Sequence, residues 1–383
     1  MLIRRDMSKI VVLGAGMVGS AMAIDLASTH QVTLTDKSLH VLQRAQERDA
    51  HVAIQTLDVT DYSALQSTIA GFDLVVCAVP GFLGYQTLKV IIEAGKDVVD
   101  ISFFPENSLE LDALAKQHGV TAIVDCGVAP GMGNFILGYY NSQLKLTDFE
   151  CLVGGLPKVK KWPFNYKAPF SPMDVIEEYT RPARYVENGK VIVREALTDC
   201  EFVEFDAVGT LESFNSDGLR SIIHTMPHIP NMKEKTLRYP GHVEYVKVLK
   251  ASGFFNAEPI DVKGKTVSPL EFTSELLFKE WKLGQEEEEF TVMRITLKGM
   301  NDGGENIQVQ YDLHDAYDAP TKTSSMARTT GYTATAAANM MLDGLFDEKG
   351  VFPPELVGGV NGCFAYIVKY LSDRGVRYNK TTS

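Results

Sequence analysis

Hydrophobic positions in the first third of the chain alternate between short solid runs and helical spacings. Ile10–Leu13 is an apolar run that ends in glycines, and Met17–Ser28 repeats apolar residues at helical intervals. Val32–Thr35 is rich in β-formers. Leu39–Arg48 reads as a helix and His51–Gln55 as a strand. Thr60 is placed to cap a helix over Tyr62–Ala70, which Gly71 stops. Leu74–Cys77 has the solid pattern of a buried strand. Phe82–Ala94 is a helix ended by Gly95, and Val98–Ile101 another strand. Pro105 opens a helix that runs to His118 and stops at Gly119, before a strand over Thr121–Val124. Strands alternating with helices predict a parallel, doubly wound sheet.

After about residue 130 the rhythm changes. Ala183–Glu187 and Val191–Arg194 flank Asn188-Gly189, a two-residue hairpin signal. Phe290–Leu297 alternates apolar and polar residues, then Asn301-Asp302-Gly303-Gly304 turns the chain into Ile307–Tyr311. From about Thr330 the tail is helical, and its small residues (Ala334, Ala336, Ala337, Ala338) need a surface to pack on. The Glu286–Glu289 run reads as a solvated loop or helix end.

Gly14-Ala15-Gly16-Met17-Val18-Gly19 follows the first strand and opens the first helix. In that context the glycines serve a dinucleotide. Gly14 permits the turn, Gly16 lets the pyrophosphate reach the backbone, and Gly19 lets the helix sit close on the strand. The N–H groups at the helix start, Met17 and Val18 among them, face the phosphates. Asp36 ends the second strand about 20 residues on, where an acid accepts from the ribose 2′-OH and repels a 2′-phosphate. NAD is therefore the expected cofactor, although Lys37 follows directly. Asp58 is a candidate adenine contact or a helix-entry cap. Ala78, Val79 and Pro80, after the fourth strand, border the nicotinamide side. The expected architecture is a Rossmann-type doubly wound parallel α/β sheet with an inserted α+β catalytic domain containing antiparallel strands.

The 383 residues allow two or three domains. A net charge of −12 and a pI near 5.2 argue against a nucleic-acid or membrane-surface partner. The charge-free stretch Gly127–Leu144 carries Pro130, Asn134, Asn141 and Gln143, too polar for lipid. The Met1–Lys9 stretch leads into too short an apolar run for a secretion signal. Cys77, Cys126, Cys151, Cys200 and Cys363 are odd in number and widely spaced, which predicts reduced thiols in a cytoplasmic protein and no metal site. His224 and His228 lack metal-ligand spacing, and Cys126 has no neighbouring base to activate it.

Several segments together resemble the saccharopine dehydrogenase family, and within it the lysine 6-dehydrogenases. They are the glycine loop; Asp125-Cys126-Gly127-Val128-Ala129-Pro130-Gly131-Met132; Val153-Gly154-Gly155-Leu156-Pro157; and Leu211-Glu212-Ser213-Phe214. Further on come Thr236-Leu237-Arg238-Tyr239-x-Gly241-His242-x-Glu244, Met326-Ala327-Arg328-Thr329-Thr330-Gly331-Tyr332-Thr333 and Val351-Phe352-Pro353-Pro354-Glu355. The resemblance implies a dinucleotide domain (1–129), an inserted catalytic domain (130–329) and a C-terminal helical return (330–383). It implies NAD(P)-linked oxidation or reduction at the carbon–nitrogen bond of an amino acid, and the lysine 6-dehydrogenases oxidise the ε-carbon of L-lysine. With NAD expected from Asp36, the expected partners are a small amino-acid substrate and further copies of the chain in a homo-oligomer. Saccharopine dehydrogenase chemistry is the alternative, although Ala129 stands where saccharopine reductases commonly carry Asp. A non-catalytic NAD-binding sensor is the alternative from another class. Asp100–Phe104 follows neither subfamily.

Oxidising an amine requires a base for its proton and an anchor for the substrate carboxylate. Asp125, at the end of the sixth strand, is a candidate base or ammonium holder, or else caps the next turn. His242 is matched to proton transfer near neutral pH, or is a structural histidine. Glu244 is placed to orient it. Arg238 suits a carboxylate, as do Arg328 and, more weakly, Arg220; a structural ion pair is the other reading of Arg328.

Overall fold

The computed structural model describes residues 7–170, 172–284 and 286–383; the expectation about Met1–Asp6 lies outside them. The chain forms two compact units, Met1–Lys145 with Met326–Arg377, and Leu146–Ser325 with Tyr378–Ser383.

The first unit opens with β1 (Lys9–Leu13), α1 (Met17–Ala27), β2 (Gln31–Asp36), α2 (Leu39–Arg48), β3 (Ala53–Thr56) and α3 (Tyr62–Ile69). It continues with β4 (Leu74–Cys77), α4 (Gly81–Glu93), β5 (Val98–Asp100), α5 (Asp112–His118), β6 (Thr121–Ile123) and α6 (Met132–Asn141). Solid apolar strands such as Ile10–Leu13 and Leu74–Cys77 are buried on both faces, as a sheet covered by helices requires. Two expectations shift locally. Asp61, not Thr60, caps α3, its Oδ1 accepting from Ala64 N at 3.0 Å. Asn107 caps a 3-10 turn over Ser108–Leu111, so α5 starts later than Pro105 suggests.

The second unit holds β7 (Lys145–Pro157), α7 (Pro172–Thr180), the hairpin β8 (Ala183–Glu187) and β9 (Lys190–Arg194), β10 (Glu201–Phe205), β11 (Gly209–Asn215), α8 (Ile222–Thr225) and β12 (Asn231–Arg238). Then come α9 (His242–Ala251), β13 (Ile260–Val262), β14 (Lys265–Val267), α10 (Pro269–Trp281), β15 (Glu289–Met300) and β16 (Asn306–Ala316). Asn188 (φ 50°) and Gly189 (φ 73°) make the predicted hairpin turn. Its main sheet runs β10-β11-β12-β7-β15-β16, with β8 on β12. It is mixed, because β12 pairs with β7 in parallel.

The tail is not simply helical. After α11 (Ser325–Leu342) it supplies β17 (Gly350–Phe352), α12 (Pro354–Gly358) and α13 (Cys363–Asp373), then β18 (Tyr378–Thr382). The parallel sheet therefore has seven strands, in the order β17-β6-β5-β4-β1-β2-β3. β18 returns to the second unit beside β16. Three-residue β17 is too short to show a period and exists through its pairing with β6. The first compact unit also takes in α6, running to Lys145. A Cβ on Gly138 of α6 would lie 2.1 Å from the Glu355 carbonyl oxygen, and one on Gly358 would lie 2.2 Å from that of Phe135. Backbone contact with α12 thus ties α6 to the parallel-sheet unit.

The acidic run is not simply solvated. Glu286 pairs with Lys322 at 2.6 Å, Glu287 with Lys161 at 2.9 Å and Glu288 with Lys158 at 2.5 Å. Glu289 is buried and accepts from Ser325 N. Among the described residues no helix is long and apolar enough to cross a membrane.

Candidate active site

In the first unit the carboxyl ends of β1, β4 and β5 lie side by side, Leu13 in register with Cys77 and Cys77 with Asp100. Gly14 has φ +99°, and a Cβ there would sit 2.5 Å from the Ala78 carbonyl oxygen. A Cβ on Gly19 would lie 1.9 Å from the Gly14 carbonyl oxygen. Both glycines are therefore required by close packing of loop, helix and the Ala78 turn. Gly16 differs: a Cβ on it would meet nothing within 4 Å. It is the N-cap of α1, without a side-chain cap and with no acid in the first turn. Open space before an uncapped helix start suits a phosphate.

Asp36 stands at this loop. Its Oδ2 accepts from Ala15 N at 3.0 Å and its Oδ1 from Ser38 N at 2.9 Å, so the acid also holds the loop's shape. Met17 is exposed at the loop; the Val18 side chain instead packs toward Gly331 of α11. Val79 is buried and Pro80 caps α4. Asp58 is exposed, and its Oδ1 takes the Thr60 N–H at 3.0 Å and hydroxyl at 2.7 Å, which pulls its carboxyl down. That is a turn-forming role.

Asp125 is buried beyond β6 with φ 52°, and its charge acts on a carboxylate that sequence reasoning missed. Asp100 ends β5 and is fully buried. Burial, with the neighbouring Asp125 adding to it, pushes its carboxyl up to about 7, against hydrogen bonds from Ser102. Its Oδ2 has no partner among the described residues. The Cys126 N–H bonds the Asp100 carbonyl oxygen at 3.0 Å, which fixes the two segments together. Beyond them Gly131 has φ +142°, and a Cβ there would lie 1.8 Å from the Gly127 carbonyl oxygen. The available signal for Asp100 was its position: like Asp36, it is an acid at the end of a parallel strand. Cys126 is buried with its thiol pushed well up by burial, first of all, and by these acids, so it is inert as a nucleophile.

The second unit holds the other candidates. Arg238 is 2% exposed. Its guanidinium donates to Glu178 Oε2 at 2.7 Å, to the Tyr179 hydroxyl at 3.0 Å, to the Leu237 carbonyl at 3.0 Å and to the Tyr166 hydroxyl at 3.3 Å. It lies 4.3 Å from the Tyr166 ring centroid. The cation's hydrogen bonds thus go to Glu178, two tyrosines and the Leu237 carbonyl. Burial pushes Glu178 up, against the pull of Arg238.

His242 is 1% exposed and uses both ring nitrogens, Nδ1 to the Phe164 carbonyl at 2.9 Å and Nε2 to the Tyr179 hydroxyl at 2.8 Å. A carbonyl only accepts, so Nδ1 carries the proton and Nε2 accepts from Tyr179. Burial and then the Arg238 charge pull the imidazole down to about 3. In this arrangement neither ring nitrogen is left open to a substrate. Glu244 pairs with Lys247 at 2.8 Å instead of orienting it. The cluster's other members, Tyr166, Tyr179 and Trp281, lie far from Arg238 in sequence and had no local signal.

Arg220 is buried in the loop after β11 with φ 45°. Beside it in sequence, Asp217 pairs with Arg184 at 2.8 Å. Arg328 lies in the first unit, on α11, and donates to the Arg374 carbonyl at 3.0 Å at the end of α13. That is a structural helix-end contact.

Comparison with known proteins agrees with this arrangement. A family model described as Saccharopine dehydrogenase NADP binding domain matches residues 10–123, and one described as Saccharopine dehydrogenase C-terminal domain matches residues 127–376. Carboxyaminopropylagmatine dehydrogenase of Synechocystis sp. is 22% identical over 378 residues, covering 91% of this chain and 92% of that protein. Saccharopine dehydrogenase [NADP(+), L-glutamate-forming] of Pyricularia oryzae is 26% identical over 263 residues, covering 65% of this chain and 58% of that protein. The fold is that of apo saccharopine dehydrogenase (L-Glu forming) from Saccharomyces cerevisiae, with a TM-score of 0.80 at 21% identity over 98% of this chain and all of that one. With matches spanning both units, the chain belongs to the saccharopine dehydrogenase family of oxidoreductases.

Proposed function

We propose that the protein oxidises L-lysine at its ε-carbon with NAD, giving NADH and an imine that water hydrolyses to ammonia and 2-aminoadipate 6-semialdehyde, which cyclises. The observation that carries this reading is the buried pair Asp100 and Asp125, on the same sheet edge as the glycine loop. Two acids, one of them pushed up to about 7 and with an unbonded oxygen, suit an arriving alkylammonium. The cation draws the pair toward ionisation, and a carboxylate then accepts the ammonium proton before hydride leaves. Asp125 is the proposed base, with Asp100 holding the amine. The cofactor supplies the hydride acceptor; Gly14, Gly16, Gly19, Asp36 and the Ala78–Pro80 turn hold it. Asp36 favours NAD, because its carboxylate repels a 2′-phosphate and accepts from a ribose hydroxyl. We place the enzyme in the cytoplasm, as a homo-oligomer.

The names of the similar proteins favour one second reading, oxidation of a secondary amine such as saccharopine with NADP, by the same hydride step. NADH absorbance on mixing protein, NAD and single amino acids, with an ammonia assay, separates the two. Lysine should reduce NAD alone and release ammonia. Much faster turnover of saccharopine reassigns the substrate, and inactivity with both leaves a cofactor-binding protein. Because the ε-amine has a pKa near 10.4, only about one free lysine in 2,500 is neutral at pH 7, so the rate should climb well above neutrality.

A further inference from the structure

We propose that the Phe82 ring is the platform on which the nicotinamide ring of the bound dinucleotide rests. This builds on the cofactor reading above and is independent of the amino-acid substrate. Phe82 is the second residue of α4 and is 78% exposed. Its backbone is nevertheless closely fixed. A Cβ on Gly81 would lie 2.3 Å from the Phe103 carbonyl oxygen, and one on Gly84 would lie 2.6 Å from Ser102 Cβ and 2.5 Å from Phe104 Cδ1. The first turn of α4 is thus wedged against the segment that follows Asp100, and an aromatic ring is presented there to solvent from a rigid base.

A single exposed Phe is ordinary on a protein surface. This one belongs to a set. Met17, Leu39 and Tyr62 are also exposed, and each is the first residue of α1, α2 or α3. All four residues therefore follow the carboxyl ends of successive strands, β1 to β4, along one edge of the parallel sheet. A ligand with two flat rings joined by a pyrophosphate lies along that edge, its phosphates at the β1–α1 loop. The strand order β5-β4-β1-β2-β3 splits the edge at β1. Asp36, at the end of β2, takes the adenosine ribose half. The half over β4 and β5 is left for nicotinamide, and Phe82 is the exposed ring there. A hydrophobic face under the pyridine ring excludes water and leaves the opposite face for the hydride.

The test is calorimetric binding of NAD and of ADP-ribose, which lacks the nicotinamide, to wild type, Phe82→Ala and Phe82→Tyr. Phe82→Ala should weaken NAD roughly 5- to 20-fold, as loss of an aromatic stacking platform does. ADP-ribose should stay within about twofold, because it has no nicotinamide to rest on the ring, and Phe82→Tyr should keep wild-type NAD affinity, because a tyrosine ring preserves the stacking face. Thermal melting of Phe82→Ala should match wild type, because the ring is exposed. Equal weakening of NAD and ADP-ribose, or no change in either, overturns the proposal. Failure of wild type to bind ADP-ribose overturns it together with the cofactor reading, whereas inactivity on lysine touches only the substrate reading.

Discussion

The Tyr179 hydroxyl lies 2.8 Å from His242 Nε2, and it also receives the Arg238 Nε proton at 3.0 Å. Having accepted from arginine, the phenol gives its own proton to the imidazole. The direction of each bond from Arg238 through Tyr179 and His242 to the Phe164 carbonyl is thereby set, and the histidine is locked in one neutral tautomer.

It follows that His242→Gln should leave the pH–rate profile of the enzyme unchanged in shape while lowering stability. The sign for wild type is that of a histidine with a depressed pKa. Its contribution is present above the unfolded value near 6.5 and is lost as pH falls toward about 3. Melting temperature against pH, for wild type and variant, should show a shallower acid loss in the variant. A variant whose rate no longer depends on pH would restore His242 as the base.

Arg238 should behave as a structural cation. Arg238→Met leaves Glu178 without its partner and should cost about 3–5 kcal/mol. Arg238→Lys should rescue little, since an ammonium cannot span Glu178, Tyr166 and Tyr179 together. Denaturant unfolding measures this. A raised KM for lysine with unchanged unfolding would instead mark a substrate anchor.

Asp100 has the opposite pH signature to a salt-bridged acid. Its raised carboxyl favours the fold below the unfolded pKa near 3.9, and that advantage is lost as pH rises to about 7. Asp100→Asn should therefore be more stable than wild type at pH 8, by about 2–4 kcal/mol, and similar to it at pH 4. Its lysine KM should rise. Asp125→Asn should reduce turnover by roughly 10²–10⁴ if it removes the base. A variant of Asp125 with near-normal turnover moves the base elsewhere.

Cofactor choice rests on Asp36. Asp36→Ala should narrow the preference for NAD over NADP, and it should also loosen the glycine loop by freeing the Ala15 and Ser38 N–H groups. Both NAD and ADP-ribose should then bind more weakly. Wild type that prefers NADP would mean that Lys37, next in sequence, decides the pocket.

Strands β1 to β6 of the first unit, and the helices between them, were legible because each is a local pattern. Solid runs such as Leu74–Cys77 fill a sheet covered on both faces, and Gly14, Gly16 and Gly19 are spaced by the geometry of one turn. The hairpin at Asn188-Gly189 was legible for the same reason, since its positive φ angles favour those residue types. What sequence could not reveal depends on partners distant along the chain. β17 is a strand only beside β6, α6 joins the first unit only because Gly138 fits against Glu355, and the run at Glu286 is neutralised by Lys158, Lys161 and Lys322. The candidate site divides in the same way. Residue types named Asp125, Arg238 and His242 as able to do chemistry, but burial and hydrogen bonding decided their states. Tyr179 and Phe164 occupied the histidine, Glu178 occupied the arginine, and the dry neighbourhood of Asp100 raised a carboxyl that its sequence position alone left ordinary. Proton affinity depends on the surrounding dielectric and charge, and those exist only once the chain has folded.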